Sequence, residues 1–216
     1  MKTYEDFLDE VMPHVPGCTN EIATQAIKNA VIEFCEKSLI LQTDHDPMSV
    51  IAGEVDYDLE PPAGYLVSKI LKAWFKNTEL VPTSPDDIAK PALYNRDFND
   101  VDAGRSDPTL IIQKDERTFS LFPVPLNSES NVVTMRIALK PSRSSTKVDD
   151  LIYEDYAEVI AHGALTRLML SPGKPYSQPQ IGVARNNLFN SGINLARQRA
   201  SSGHVRSTRQ VQFRRI

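Results

Sequence analysis

The sequence predicts an α+β fold: a helical bundle formed by the N- and C-terminal helices, with an inserted β-rich unit and an extended C-terminal tail. Three observations predict it. Apolar residues recur at helical spacing near both ends of the 216-residue chain, the period changes to two in the middle, and the residues beyond Gly203 follow neither pattern. Residues 1–42 and 150–203 are therefore read as two parts of one bundle. Residues 43–149 are the β-rich insertion with a long loop at 82–108, and residues 204–216 are a basic tail.

The opening segment Tyr4 to Met12 places Tyr4, Phe7, Leu8 and Val11 on one helical face and stops before Pro13, Pro16 and Gly17. The second helix starts at Thr19 or Asn20, either of which serves as N-cap, with Glu21 in the first turn against the positive end of the dipole. Ala23, Ile27, Ala30, Val31 and Phe34 form its apolar stripe, and Lys37 sits near its C-terminal end.

From about residue 50 the period becomes two. Val55, Tyr57 and Leu59 alternate with acidic residues until Pro61-Pro62-Ala63-Gly64. Tyr65 to Phe75 leads through Asn77-Thr78 to Leu80-Val81, a hairpin pattern, and Leu110 to Gln113 with Thr118 to Phe122 makes a second one. In Val133 to Lys140, Val133, Met135, Ile137 and Leu139 point one way and Thr134, Arg136, Ala138 and Lys140 the other. Between the hairpins, Pro82 to Pro108 is rich in Pro, Asp and Asn, with a short helix expected near Pro85 to Ala89. Loops of this length are usually functional or disordered, and Arg96, Asp97, Asp100, Asp102 and Arg105 are read as a contact surface for a neighbouring subunit or tail component.

Asp149 or Asp150 caps a third helix whose buried face is Ile152, Tyr156, Val159, Ile160, Gly163, Ala164 and Leu168, ended by Ser171-Pro172-Gly173. The fourth runs from about Gln180 to Ala200 with Ile181, Ala184, Leu188, Gly192, Leu195 and Ala196 on its apolar stripe. Gly163, Ala164 and Gly192 suit close approach of helices, although each glycine costs about 1 kcal/mol of helix propensity.

Charge is segregated along the chain. After Glu158 there are nine Lys/Arg and no acid, a net +9; the other fifteen Lys/Arg stand against all 28 Asp/Glu, a net −13. Two surfaces of this protein thus face different electrostatic partners, and one of those partners is open to being another copy of itself. No apolar run reaches the roughly 18 residues of a membrane span, and the N-terminus lacks the basic start and apolar block of a signal peptide, so a cytoplasmic origin is expected. Cys18 and Cys35 read as small, partly buried thiols without a disulfide.

No catalytic or metal-binding constellation assembles from the sequence. Thr43-Asp44-His45-Asp46 contains ligand-competent side chains but reads as a solvated loop. Glu154 and Glu158 lie one turn apart on the polar face of a helix, and His162 falls off the main apolar stripe with no neighbouring Cys or Ser. Ser171-Pro172-Gly173-Lys174-Pro175 lacks the glycine and the Ser/Thr of a phosphate-binding loop. Trp74 and Phe75 between Lys72 and Lys76 read as core or interface rather than a base-stacking platform. The expectation is a protein that is no enzyme and carries no cofactor and no metal.

The order of features is more specific than any one of them. The short first helix, the turn Val15-Pro16-Gly17-Cys18-Thr19, the helix from Ala26 to Ser38, and Gly53-Glu54-Val55-Asp56-Tyr57-Asp58-Leu59 before Pro61-Pro62 resemble the head-to-tail adaptor proteins of tailed bacteriophages, also called tail tubular or head-completion adaptors. The resemblance extends more loosely over most of the chain. It implies a virion protein of the neck, assembled in the host cytoplasm as a homo-oligomeric ring of twelve copies under the portal protein. Such a ring carries a tail or nozzle protein and forms part of the channel through which genomic DNA passes without specific binding. It also implies that the tail docks on the portal, with Arg206, Arg209, Val211, Phe213, Arg214, Arg215 and Ile216 as the docking residues. Val211 and Phe213, two apart, point the same way in an extended strand. The charge split fits, because a basic channel wall would hold phosphates and stall DNA. The competing reading is a nucleic-acid-binding protein using the basic tail; the acidic body, which repels the same backbone, speaks against it.

Overall fold

The computed structural model describes residues 1–84 and 105–203. It is a helical layer built from both chain ends against a curled β-sheet, as the periodicities predict. Strand β1 (Lys2–Thr3) pairs antiparallel with β9 (Lys147–Val148), a small ribbon that closes the insertion back onto the N-terminus. The expected first helix is discontinuous: a 3-10 turn over Tyr4–Phe7, one α-turn α1 (Leu8–Val11), and a second 3-10 turn over Met12–His14. The Asp6 carboxylate accepts from the Thr3 N–H at 2.7 Å and closes the first turn, and Pro13, which has no N–H to donate, stands in the last.

Helix α2 (Asn20–Ser38) follows its N-cap Thr19, and Ala23, Ala26, Ile27, Ala30, Val31, Phe34 and Cys35 form its buried face. It ends on Leu39 in the left-handed conformation (φ 56°), whose N–H reaches the Cys35 carbonyl. Both cysteines are free and buried. Helix α3 (Asp150–Met169) begins at Asp149, whose side chain accepts from the Leu151 N–H, so the first of the two candidate caps is used. Every residue from Ile160 to Thr166 is buried, because α1, α2 and the outermost helix α4 (Pro179–Ser202) all pack against it. His162, expected off the apolar stripe, is therefore inside.

The insertion forms seven strands in the order β2-β8-β4-β5-β6-β7-β3. Both expected hairpins are present: β4 (Tyr65–Phe75) with β5 (Thr78–Pro82), and β6 (Leu110–Gln113) with β7 (Thr118–Phe122). The alternating acidic stretch contributes a shorter strand, β3 (Asp56–Asp58), paired to β7 with only Tyr57 inside it buried. The spine is β8 (Glu129–Pro141), which extends the predicted strand at both ends and pairs on its two sides with β2 and β4. Register shifts interrupt both pairings, and irregularities of this kind bend strands and increase twist.

One expectation is overturned here. Residues 43–46 are not a solvated loop but part of β2 (Gln42–Val50), an edge strand. Most of its side chains are exposed, so it carries no apolar alternation to read; its pairing comes from backbone hydrogen bonds and the cross-strand ion pair Asp44–Arg136 at 2.9 Å. Pro47 interrupts the ladder where the register shifts, a position an edge strand tolerates.

The long connection between β5 and β6 also has a topological cause. The two strands are parallel neighbours, Val81 opposite Leu110 and Pro82 opposite Ile111, and a parallel pair needs a crossover of a dozen or more residues. Its stem belongs to the sheet: Ser106 and Thr109 donate to the Val124 and Phe122 carbonyls. The short helix expected near Pro85 to Ala89 lies outside the described residues.

Two features tie sheet to bundle. The apolar core is one contiguous cluster running from Phe7, Phe34 and Ile160 to Leu80, Phe119 and Ile137. Lys140 on β8, only 12% exposed, bridges Glu36 of α2 at 2.8 Å and Glu116 of the β6–β7 turn at 2.6 Å. Burial opposes charge there, yet the two carboxylates win and hold the ammonium above its ordinary range.

Helices α3 and α4 touch through glycines. A Cβ on Gly163 would stand 2.7 Å from the Phe189 ring, and one on Gly192 would stand 2.4 Å from a Val159 methyl. Alanine at either position gains about 1 kcal/mol of helix propensity but overpacks an interface, which costs roughly 1–3 kcal/mol. The β-branched Val159 cannot swing away without changing its single favoured rotamer. Gly192→Ala is therefore expected to destabilise the protein on balance, lowering the urea midpoint, and Gly163→Ala likewise. An unchanged or raised midpoint would show that the helices separate without cost.

Candidate functional site

The site is built on α4 and the helices beneath it. Gly182, Phe189, Gly192, Ile193 and Ala196 are its buried residues. This differs from the expected stripe: Gly192 and Ala196 face the core, whereas Ile181, Leu188 and Leu195 are 45%, 51% and 63% exposed. The reason is steric. The helix is turned so that Phe189 covers Gly163 and Gly192 receives Val159, and at about 100° per residue this rotation carries the aliphatic residues to the side. Positions 181, 188 and 195 recur every seven residues and so form one continuous line, with Ala184 and Ser191 between them. Val183 is exposed on another face, and Leu170, 44% exposed, lies beside Gly182.

The arginines expected to make the end of the chain a basic surface are partly spent on the bundle itself. Arg167 pairs with Glu33 of α2, and Arg199 with Asp155 of α3 at 2.8 Å. Arg197 donates from Nε to the Lys37 carbonyl at 2.9 Å, placing a cation at the negative end of α2. Arg185 donates to His162 Nδ1 at 3.0 Å. No acid lies on α4, and neither Arg185 nor Arg197 has a carboxylate partner among the described residues.

His162 is the centre of a second feature, a cavity of about 230 Å³ lined by Glu10, His14, Glu158, His162 and Arg185. Because Nδ1 accepts from Arg185, the ring proton sits on Nε2, which faces Glu158 at 3.7 Å. Burial first, and the Arg185 cation second, hold the imidazole below its ordinary pKa, with Glu158 pulling the other way. The neutral ring is thus an acceptor that ties α3 to α4. Among the described residues no group of three His, Cys, Asp or Glu side chains has metal-binding geometry. Cys35, which burial pushes well above the ordinary thiol range, is shielded from reaction.

A third feature lies beside the N-terminal turns. A cleft of about 690 Å³ opens between the N-terminal turn and α2, lined by Tyr4, Glu5, Leu8, Glu21, Thr24 and Lys28 among others.

The remaining residues singled out from sequence have structural partners. Asp44 holds Arg136, and the His45 ring accepts from the Glu60 N–H at 3.2 Å, joining β2 to the segment after β3. Trp74 is half-buried within the sheet, opposite Glu79 and Thr134. Arg105, half-buried, packs its guanidinium on the Gly53 turn of its own chain. Arg96, Asp97, Asp100, Asp102 and the tail residues Arg206, Arg209, Val211, Phe213, Arg214, Arg215 and Ile216 lie outside the described residues.

The family model of the SU10 adaptor protein matches residues 2–211, which takes in both halves of the bundle, the whole sheet and the start of the tail. The chain belongs to the SU10 adaptor protein family. It is a phage adaptor, a structural protein, as the order of its elements implied. No curated protein matches it. Among the described residues an exposed apolar line lies on α4, and the sequence signal for it was the seven-residue recurrence of Ile181, Leu188 and Leu195.

His162 sets a pH dependence. Its folded pKa lies below the unfolded value, so as pH falls below about 6.5 the unfolded chain takes up the proton first and the folded state loses stability. The loss in urea midpoint between about pH 7.5 and about pH 5.5 is expected to be larger for the wild type than for His162→Gln. Equal losses would mean that the ring is not held neutral by its surroundings.

Proposed function

We propose that this adaptor joins the portal to the tail as a closed ring of copies, twelve by analogy with the proteins it resembles, and that the ring lines part of the DNA channel. Residues 204–216 dock on the portal. The observation that carries the reading is the family match, which runs from residue 2 to residue 211 and therefore reaches the first apolar anchor, Val211. Val211 and Phe213 enter a groove or add a strand to the partner, and the arginines orient the approach. Burying Phe213 contributes about 1.5–3 kcal/mol per copy, which repetition around a ring turns into high avidity.

The alternative, phosphate binding by the basic end, is weakened by the fate of its arginines. Arg167 and Arg199 hold carboxylates and Arg197 holds a carbonyl, so these three are partly spent on the bundle's own surface contacts. The polar residues of the 82–108 connection are assigned to a neighbouring copy or the next tail component, since it is longer than the dozen or so residues that a crossover between parallel strands needs.

Truncation after Gly203 is expected to leave the thermal melting of the protein nearly unchanged and to abolish attachment to DNA-filled heads. Attachment by the truncated protein would remove the tail from the docking role, and salt-dependent DNA binding by the intact protein would favour the alternative.

A further inference from the structure

We infer that the outward line of α4, Ile181, Leu188 and Leu195, is a docking surface for a second copy of this chain, which receives it in the cleft between its N-terminal turn and α2. Half of the large exposed apolar side chains of the described residues, Leu170, Ile181, Val183, Leu188 and Leu195, lie on or beside this one helix. A contiguous apolar line of this kind on a soluble protein marks a partner surface.

Charge selects the occupant. Two α4 helices laid on each other would bring together Arg185 and Arg197 of both copies, neither of which has a carboxylate partner among the described residues, with no acid on either helix. Pairing by a two-fold axis is therefore disfavoured, and so is covering by the chain's own arginine-rich tail. The cleft has the complementary character. It is lined by Glu5 and Glu21 against the single cation Lys28. Its floor offers the half-buried Leu8 to an aliphatic side chain. Both surfaces belong to the helical layer, so one contact puts the bundles of two copies side by side. The contact joins two different faces, so it is heterologous and repeats from copy to copy until the rotation closes. The inference rests on the reading of this adaptor as a ring, and it names the surface through which the copies meet.

The test is disulfide trapping on the full-length protein carrying Glu5→Cys and Leu188→Cys, both exposed positions, against a background in which Cys18 and Cys35 are buried. Mild oxidation is expected to give a ladder of species beyond the dimer, linked 5 to 188 by mass spectrometry. A product that stops at dimer with a 188–188 link, or the absence of any 5–188 link, would overturn the proposal. In a second arm, Leu188→Asp with Leu195→Asp is expected to lose the ladder formed by an amine-reactive cross-linker while retaining its circular dichroism and its binding to isolated portal. Loss of portal binding with the ladder intact would assign the line to the portal instead and also overturn the proposal. Loss of portal binding by the tail truncation is a separate readout, so failure of the docking reading is distinguishable from failure of this one.

Discussion

The contact between α3 and α4 at two glycines governs what the surface of this adaptor offers. Gly163 lies under the Phe189 ring and Gly192 against Val159, at distances that admit no side chain on either. Phe189 is 2% exposed, and its burial contributes about 1.5–3 kcal/mol. Together with the burial of Ile193 and Ala196, that gain offsets the roughly 1 kcal/mol that each glycine costs in a helix. The rotation of α4 follows from this fit. With Phe189 inward, Leu188 and Leu195 are carried outward and Arg185 is brought to His162.

The same rotation explains the use of the basic residues. Arg197 meets the last carbonyls of α2 and Arg199 meets Asp155, so the outermost helix is pinned at its C-terminal half by charge and along its middle by packing. Exposed ion pairs contribute about 0–1 kcal/mol each, so packing sets the position and the arginines select the register. The helix consequently ends in a defined place at Ser202, which gives the residues beyond it a fixed point of departure.

The insertion depends on one strand. β8 pairs on both sides, carries the alternating core residues Val133, Met135 and Ile137, and through Lys140 reaches both Glu36 of the bundle and Glu116 of the distal hairpin. A cation bridging two carboxylates from different layers fixes the orientation of sheet against helices, which an apolar interface alone leaves free to slide.

Local periodicity was enough to determine the fold class. Helical spacing in α2 and α3, the alternation of Val133 to Leu139 and the two hairpins are properties of single segments, and the segments adopt them because one face of each must leave water. The order of those segments also carried the family. Three things required the assembled structure. Strand β2 has no apolar face, because its pairing energy is in its backbone and in Asp44–Arg136. His162 is interior because α3 is surrounded, which no amphipathic pattern of one helix records. The exposed line on α4 exists because a helix with apolar residues on two faces can bury only one, and the choice was made by the shape of Gly163 and Val159 on another helix. A sequence states which residues avoid water; only the tertiary fit decides which of them are left to find a partner.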